Sequence, residues 1–161
     1  MSLSLRKATL NDSDLLLQWR NDPDVIATSI TRKGVTEAEH DRWLVKALSD
    51  KACHLYIAEI QDPRYVVMED GCGELVFNAG GMGRINGEHG VAILSYSLAK
   101  EHRGDGHAGV LVAALCDKAW ELGYTSIQAV ARHGNTASLR ALLSNGFTVS
   151  EHELLRLEKT L

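Results

Sequence analysis

The segment best suited to bind a ligand is Arg103-Gly104-Asp105-Gly106-His107-Ala108-Gly109. Glycines at this density let a backbone approach a ligand closely. The run precedes a helical pattern, and the first turn of a helix presents unpaired N–H groups and the positive end of the helix dipole. A diphosphate is the ligand that both features favour. The run therefore predicts a phosphate-binding loop, and a plain glycine turn between a strand and a helix is the alternative.

The spacing of Gly104, Gly106 and Gly109 also matches the GxGxxG fingerprint of dinucleotide-binding proteins. That fingerprint expects an acidic residue about 20 positions further on, at the end of the next strand. The segment Ser126–His133 contains no carboxylate, and Arg132 would suit only a 2′-phosphate. Only one helix and a short tail follow, too little for the rest of a doubly wound sheet. We therefore reject the dinucleotide-binding interpretation. An NADP-binding module is supported by the GxGxxG spacing alone.

The elements around the loop follow the order strand, helix, strand, helix. Val91–Leu98 is predicted as a strand, and the helix after the loop ends near Leu122 with Gly123 beyond it. Thr125–Ala131 is the next predicted strand, and Asn135–Ser144 is the next helix. Because two such strands joined by a helix lie parallel, this order predicts a parallel pair inside a mixed α/β fold.

The N-terminal half predicts two helices and several short strands. The first helix begins with Asn11 as its N-cap and is closed by Asn21-Asp22-Pro23, because the residue before a proline disfavours the α region. The second runs from Thr36 to about Leu48, with Thr36 and Glu39 as a capping box. The remaining predictions are strands at Leu5–Ala8, His54–Ile60, Tyr65–Met68, Leu75–Phe77, Phe147–Val149 and Leu154–Leu157, interruptions at Gly80, Gly81 and Gly83, and a hairpin turn at Asn86-Gly87.

Composition narrows the class of protein. The length of 161 residues fits one domain spanning 1–161. The excess of 21 Asp and Glu over 17 Lys and Arg disfavours non-specific nucleic-acid binding. The longest nearly unbroken apolar run, Ala108–Cys116, is far shorter than the about 20 residues that span a bilayer. Cys53, Cys72 and Cys116 form no CxxC motif, and no HExxH motif is present, so we expect no metal site and a cytoplasmic location.

The motif Arg103-x-x-Gly106-x-Ala108 resembles the (Q/R)-x-x-G-x-(G/A) pyrophosphate loop of the GNAT-type acetyl-CoA-dependent N-acetyltransferases. The similarity extends, in the correct order, to Leu5-Arg6-Lys7-Ala8-Thr9, Trp19-Arg20-Asn21-Asp22-Pro23, Glu39-His40 with Trp43, Asn135-x-x-Ser138-Leu139 and Asn145-Gly146-Phe147. It covers most of the chain except roughly Gln61–Asn78, which looks like an insertion. The resemblance implies a mixed α/β GNAT-like fold: a mostly antiparallel sheet with a splayed parallel strand pair, flanked by about four helices.

The resemblance also implies which residues bind acetyl-CoA as the co-substrate. Backbone groups of Tyr96, Ser97 and Leu98 would contact the pantetheine arm, with an N–H near Leu98 facing the oxyanion. Asn135 and Ser138 would bind the same arm. The backbone amides that would surround the pyrophosphate are those of Arg103, Gly104, Asp105, Gly106, His107 and Ala108. The candidate partners of the 3′-phosphate are Arg132 and Arg140, which are equally compatible with being solvated charges.

The catalytic acid and base are left unassigned. Many members of the superfamily carry a tyrosine seven residues after the asparagine, where this chain has Leu142. Ribosomal-protein alanine acetyltransferases also carry a glutamate five residues before that asparagine, where this chain has Val130. The remaining candidates are Tyr96, Ser97, Glu88, His89 and His40.

The implied activity is acetyl transfer from acetyl-CoA to the primary amine of a small molecule. Arg20, His40 and Trp43 are the candidate acceptor-binding residues, and core packing is the alternative role of Trp19 and Trp43. An amino-sugar nucleotide is the preferred acceptor. The alternatives are a protein N-terminal acetyltransferase of the ribosomal-protein type and a non-catalytic CoA-binding domain. We expect neither a nucleic-acid nor a membrane partner, and a homodimer is compatible with the sequence.

Overall fold

The computed structural model describes residues 2–69, 72–151 and 155–160. The strands are β1 (Ser2–Lys7), β2 (Cys53–Glu69), β3 (Cys72–Glu88), β4 (Val91–Leu98), β5 (Ser126–Ala131), β6 (Thr148–Glu151) and β7 (Leu155–Thr160). The α-helices are α1 (Ser13–Arg20), α2 (Pro23–Thr28), α3 (Glu37–Ser49), α4 (His107–Glu121) and α5 (Thr136–Ser144). The strands form one sheet in the order β1-β2-β3-β4-β5-β7-β6.

The sheet is antiparallel except for one pair. Strands β4 and β5 run parallel, from Val91 opposite Ser126 to Leu94 opposite Ala129, and α4 connects them. The predicted mixed α/β fold with one parallel pair is therefore confirmed. The described residues contain five α-helices rather than the expected four or so, and the additional helix is α2.

Two hydrophobic clusters cover opposite faces of the sheet. Along β2, Leu55 and Ile57 belong to one cluster, whereas Tyr56 and Ala58 belong to the other. Successive side chains of a strand point to opposite faces, so the two clusters lie on the two sides of the sheet. One cluster includes side chains of α1 and α3, and the other includes side chains of α4 and α5. The sheet is thus the middle of three layers.

The start of α1 and the role of Pro23 differ from the prediction. Asn11 lies inside a short 3₁₀ turn and is not an N-cap; the turn closes through the Thr9 amide, which donates to the Asp12 carboxylate at 2.8 Å. Helix α1 ends near the expected place, but Pro23 opens α2 rather than only closing α1. A proline at the first helical position loses no hydrogen bond, and Asp22 caps the helix by accepting from the Asp24 amide at 2.8 Å.

The hairpin turn before β4 was predicted at the wrong residues. Asn86 and Gly87 lie inside β3, and the turn consists of His89 and Gly90, whose φ values are 49° and 84°. Two residues with positive φ between antiparallel strands match the tight turns that suit a twisted hairpin. Gly87 is needed for a different reason, because a Cβ there would collide with the Tyr124 hydroxyl.

The β3 glycines were predicted to interrupt the strand. Gly80 does lie at a register shift in the β2–β3 pairing, whereas Gly81 and Gly83 are paired on both sides. Gly83 pairs with Tyr56 on one side and Tyr96 on the other, so the strand continues through it. A Cβ at Gly83 would lie 2.6 Å from Leu115 Cδ2. The glycine therefore allows α4 to pack closely on the sheet, which a strand pattern by itself does not reveal.

The segment predicted as an insertion continues the β2–β3 hairpin. The pairing of β2 with β3 extends from Cys53 opposite Asn86 to Glu69 opposite Cys72, with a register shift between Gln61 and Val66. Tyr65–Met68 and Leu75–Phe77 are therefore parts of two long strands rather than separate ones. At the other end of the chain, Leu154 lies outside the described residues, while β7 extends further than predicted, to Thr160.

Candidate functional site

A gap opens in the sheet where β4 and β5 stop pairing. The last paired residues are Leu94 and Ala129, although β4 continues to Leu98 and β5 to Ala131. The Ala99 amide donates to Gly80 O at 2.8 Å on the β3 side. Because backbone groups alternate in direction along a strand, the N–H groups of Leu98 and Tyr96 face the gap. The expected splayed pair is present.

The gap leads into a cavity of about 590 Å³, which we call the β4–β5 cavity. Its wall is formed partly by residues 94–98 of β4 and by residues 129–132, at the end of β5 and just after it. The rest of the wall comes from α2, the segment that follows α2, and α5. Gly104, Gly106 and Ala108 line it from the predicted phosphate-binding loop, and Arg132 and Arg140 line it as well. The structure thus brings together the loop, the gap and the start of α5, as expected from the order of the motifs.

The loop adopts a backbone conformation that favours glycine at two positions. The φ values of Gly104 and Gly106 are 91° and 81°, and Gly106 is the N-cap of α4. A Cβ at either glycine would meet no atom within 4 Å, so both face open space. Among the residues that the structure describes, no protein acceptor pairs with the N–H groups of 104–108. The Arg103 amide, also predicted to face the pyrophosphate, instead donates to Lys100 O at 3.3 Å. Five unpaired amides at the start of a 15-residue helix form a favourable environment for an anion.

Arg103 anchors this loop to two other parts of the chain. Its Nε donates to Leu98 O at 3.0 Å, at the end of β4. Its Nη1 lies 3.1 Å from Asp24 Oδ2 and 3.4 Å from Asp22 Oδ1, at the start of α2. Its Nη2 is buried with no partner among the described residues. One guanidinium therefore holds the loop, the splayed strand and α2 in a fixed arrangement and keeps one donor available.

His107 contributes to this region through its backbone. Its side chain is 5% exposed and packs edge-on against His102, with the ring centroids 5.7 Å apart. The imidazole therefore points into the protein, and only the amide of His107 belongs to the row of unpaired N–H groups. Asp105, by contrast, is an exposed residue of the loop.

Asn135, Ser138 and Tyr96 form a connected group across the cavity. Asn135 caps α5, its Oδ1 accepting from the Ser138 amide at 3.2 Å, which leaves the Nδ2 amino group for a ligand. The Tyr96 hydroxyl lies 2.8 Å from Ser138 Oγ. Burial raises the pKa of the Tyr96 phenol above its usual value, and the hydrogen bond with Ser138 offsets part of that rise. Leu142, at the position of the family tyrosine, lines the same cavity and is 1% exposed.

A second cavity of about 460 Å³, which we call the α1–α3 cavity, lies on the other side of the sheet. Trp19 and Arg20 line it from α1, and His40 and Trp43 line it from α3. Trp19 is 7% exposed and belongs to a hydrophobic cluster against which Trp43 also packs, so both tryptophans have the core-packing role. The rings of His40 and Trp43 lie 5.5 Å apart. The three predicted acceptor-binding residues are thus brought together.

The two cavities meet at the splayed end of β4. Both are lined by Ser95, Tyr96 and Ser97 of β4 and by Val25, Ser29 and Ile30 in and after α2. A group in one cavity can therefore reach a group in the other across this strand. Glu88 and His89, two of the candidate catalytic residues, lie at the opposite end of β4, beyond Val91, and are outside this region. They are excluded as acid or base on that ground.

Sequence reasoning missed α2 and the polar residues of the sheet face. Val25 in α2 and Ser29 and Ile30 just after it line both cavities. The start of α2 was predictable from the sequence, because an Asp followed by a Pro is typical of an N-cap and the first position of a helix, and Asp22 and Pro23 form such a pair. Arg84 and Ser95 offered no such signal, because their contribution depends on the β3–β4 register that places them opposite each other.

Comparisons with known proteins agree with this architecture. Residues 2–148 match the family described as the acetyltransferase (GNAT) domain. The chain is 30% identical over 156 residues to an N-acetyltransferase of Bacillus licheniformis named p20 and described as uncharacterized, covering 96% of this chain and 82% of that protein.

Two solved structures share the fold. A spermidine N-acetyltransferase from Vibrio cholerae in complex with CoA and spermine superposes with a TM-score of 0.81 at 16% identity, covering 98% of this chain and 95% of that one. The aminoglycoside acetyltransferase AAC(6')-Ib in complex with ribostamycin and coenzyme A gives a TM-score of 0.78 at 20% identity, covering 99% and 94%.

The described part of the chain contains no helix that is both long and apolar enough to span a membrane, and no group of three or more His, Cys, Asp or Glu placed to hold a metal ion. The family match covers the loop, the splayed strands and both cavities, and the mixed sheet agrees with it. This chain belongs to the GNAT acetyltransferase family and is an N-acetyltransferase that uses acetyl-CoA as its co-substrate.

Proposed function

We propose that this enzyme acetylates the primary amine of a small molecule, with an amino-sugar nucleotide as the preferred acceptor. Acetyl-CoA lies in the β4–β5 cavity, and the amine enters from the α1–α3 cavity. The observation that carries the proposal is the meeting of the two cavities at Ser95–Ser97, beside the unpaired edge of β4. This arrangement allows a nucleophile from one side of the sheet to reach a thioester on the other.

The pyrophosphate of acetyl-CoA is bound by the loop. The unpaired amides of Gly104, Asp105, Gly106, His107 and Ala108 donate to it, with Arg103 supplying the loop's anchor and its buried Nη2. Hydrogen bonds of this type to a charged acceptor are about twice as strong as neutral ones. The positive end of the α4 dipole adds to them. Arg132 and Arg140 line the same cavity and are the proposed partners of the 3′-phosphate.

The pantetheine arm extends the sheet in the gap. Tyr96, Ser97 and Leu98 form the open edge that it follows, and Asn135 and Ser138 contact it from α5. The Leu98 N–H, which faces the gap, donates to the oxygen that becomes negative when the amine attacks the carbonyl carbon. A fixed donor at that position lowers the barrier because it is oriented before charge develops.

Tyr96 is the proposed proton donor for the departing thiolate. Its hydroxyl enters the β4–β5 cavity from β4, opposite Leu142, which is where the family pattern has a tyrosine. As the new C–N bond forms and the C–S bond breaks, the phenol gives its proton to sulfur. The proton lost by the amine restores the phenol through Ser138 or solvent. A phenol with its ordinary pKa of about 10 is protonated at neutral pH, and burial raises the pKa of Tyr96 further.

The amine is bound by residues of the α1–α3 cavity. Trp43 offers an apolar and aromatic wall, and His40 offers a buried Nε2 without a partner among the described residues. Arg20 lines the same cavity. An aromatic wall with a few polar atoms is typical of a site for a small polar molecule.

The proposal is tested by two measurements on the same protein. Calorimetry should show binding of CoA and no binding of NADPH. A thiol-release assay with acetyl-CoA should show turnover with UDP-glucosamine exceeding turnover with spermidine and with an Ala-initiated peptide. NADPH binding without CoA binding would overturn the donor site, whereas preference for the peptide would favour the protein N-terminal alternative. Turnover with any acceptor excludes a non-catalytic CoA-binding role.

The assembly and location of the enzyme stay predictions. The Vibrio cholerae spermidine N-acetyltransferase is described as dodecameric, and that state belongs to that protein. For this chain we retain the homodimer, which light scattering of the purified protein would measure, and the cytoplasmic location.

A further inference from the structure

The α1–α3 cavity contains two guanidinium groups that no carboxylate neutralises. Arg20 Nη2 donates to Thr31 Oγ1 at 3.1 Å. Arg84 Nε and Nη2 donate to Ser95 Oγ at 3.3 and 3.2 Å. Both acceptors are neutral hydroxyls. Over residues 2–69, 72–151 and 155–160, neither guanidinium forms an ion pair within 4.0 Å.

Arg103, which lines the β4–β5 cavity, shows how a guanidinium of this protein is neutralised by its neighbours. Arg103 is held by two carboxylates, those of Asp22 and Asp24. Arg20 has a buried Nη1 atom with no hydrogen-bond partner in the described part of the protein. A buried donor without an acceptor is unfavourable. An anion bound beside Arg20 would accept from Nη1 and remove that penalty.

Glu39 is the carboxylate that lines this cavity, and it is already engaged. Its Oε2 accepts from the Thr36 amide at 2.8 Å and from Thr36 Oγ1 at 2.9 Å, as part of the α3 capping box. These hydrogen bonds lower the pKa of Glu39, so the group is ionised near neutral pH. Its charge stabilises the exposed start of α3, and two arginines against one carboxylate leave the described lining with excess positive charge.

We propose that the acceptor of this enzyme carries an anionic group, a carboxylate or a phosphate, in addition to its amine, and that Arg20 and Arg84 bind that group. This inference rests on the proposed function and refines its substrate. The amine then lies toward Tyr96 and Ser97, where the cavities meet. Spermine and ribostamycin, bound by proteins of the same fold, carry several positive charges and no negative one. Such polycations are repelled by this lining.

The test compares amines that differ only in the anionic group. The pairs are glucosamine with glucosamine 6-phosphate, and propylamine with β-alanine, which separate a phosphate from a carboxylate as the bound group. Binding is measured by calorimetry on the full chain saturated with CoA, so that no turnover is required. The anionic member of at least one pair should bind about tenfold or more tightly, since hydrogen bonds to charged groups carry that much affinity.

Variants then assign the preference to the two arginines. Arg20→Met and Arg84→Met should each remove most of it, while the affinity for the member without the phosphate or carboxylate does not fall. Arg20→Lys should retain part of it. Arg42→Met removes an exposed arginine of α3 that does not line the cavity, and it should keep the full preference. Unchanged affinity for CoA, measured in each variant, shows that the fold is intact.

The outcomes separate this inference from the proposed function. Equal affinity for both members of every pair would overturn the inference, even if acetylation occurs. Equal loss of affinity for both members of a pair in Arg20→Met and Arg84→Met would also overturn it, because the arginines would then be structural. Absence of acetyl transfer to any amine, with the binding preference intact, would count against the proposed function instead.

Discussion

The β4–β5 cavity and the α1–α3 cavity, the proposed sites of acetyl-CoA and of the amine, present different kinds of chemical groups. The first presents main-chain donors: the amides of 104–108 and the open edge of β4. The second presents side chains, such as Arg20, His40 and Trp43, that come from separate elements. Main-chain donors are the same in every sequence that adopts the backbone, whereas side chains change with each substitution. The first cavity therefore suits a donor shared by a whole family, and the second suits an acceptor particular to one member.

The largest effect is expected from Gly106→Val. The variant places a β-branched residue at a φ of 81° and a side chain in the open space in front of the amides. Calorimetry should show that CoA affinity falls by about 100-fold or more, because several charge-assisted hydrogen bonds are lost together. Gly109→Ala is the control, since its Cβ would make ordinary contacts at 3.9 Å with Asn145 and Ser144. Normal CoA affinity in Gly106→Val would contradict the loop assignment.

Tyr96→Phe tests the chemical step that takes place between the cavities. Loss of the proton donor should lower kcat about 100-fold, with little change in the KM for either substrate. In the native enzyme activity should fall as pH rises through the elevated pKa of the phenol, and the variant should lack that alkaline limb. Tyr124→Phe, near Gly87 at the other end of the sheet, serves as the control. An unaltered kcat in Tyr96→Phe would show that another group protonates sulfur.

Arg103→Met removes the side chain that connects the loop to β4 and α2. Loss of its bonds to Leu98 O, Asp22 and Asp24 should loosen the row of amides and raise the KM for acetyl-CoA about tenfold. The KM for the amine should change less, because the α1–α3 cavity does not include Arg103. Lys100→Met removes an exposed positive charge from the same segment and controls for long-range attraction. An equal effect of both variants would mean that charge alone matters.

Thr36→Val is expected to give the smallest effect, and it addresses the acceptor side. The variant removes the hydroxyl that accepts from the Glu39 amide at 3.3 Å and caps α3, the helix that carries His40 and Trp43. The loss should be about 1 kcal/mol of unfolding free energy. Differential scanning calorimetry should detect a Tm lower by about 2–4 °C. The KM for the amine should rise while the KM for acetyl-CoA stays constant.

Ser49→Ala is the control for Thr36→Val, because it removes a side-chain hydrogen bond at the opposite end of α3 without removing a cap. If the two variants have the same Tm and the same kinetics, the start of α3 does not support the acceptor cavity. A change in the KM for acetyl-CoA would mean that a substitution at the start of α3 also affects the β4–β5 cavity, so that the two cavities are coupled.

The loop and α5 were predictable because their signals are local. Gly104 and Gly106 adopt the positive φ values that glycine tolerates best, and Asn135 caps the helix that it precedes. The turn after β3 was missed because His89 occupies a position that usually favours Asn or Gly. The close contact of Gly83 with Leu115 involves residues that are distant in the chain, so no local pattern reports it.

By itself, the order of residues determined the family and the use of acetyl-CoA and predicted the phosphate-binding loop, because backbone conformation and helix starts depend on neighbours within a few positions. The tertiary structure decided that α2 and the residues after it line both cavities, that Tyr96 lies within hydrogen-bond distance of Ser138, and that Arg20 and Arg84 share one cavity with no ion-pair partner among the described residues. These residues come from elements far apart in sequence. Their proximity arises from strand register and from helix packing on both sides of the sheet, where burial of apolar surface sets which side chains meet.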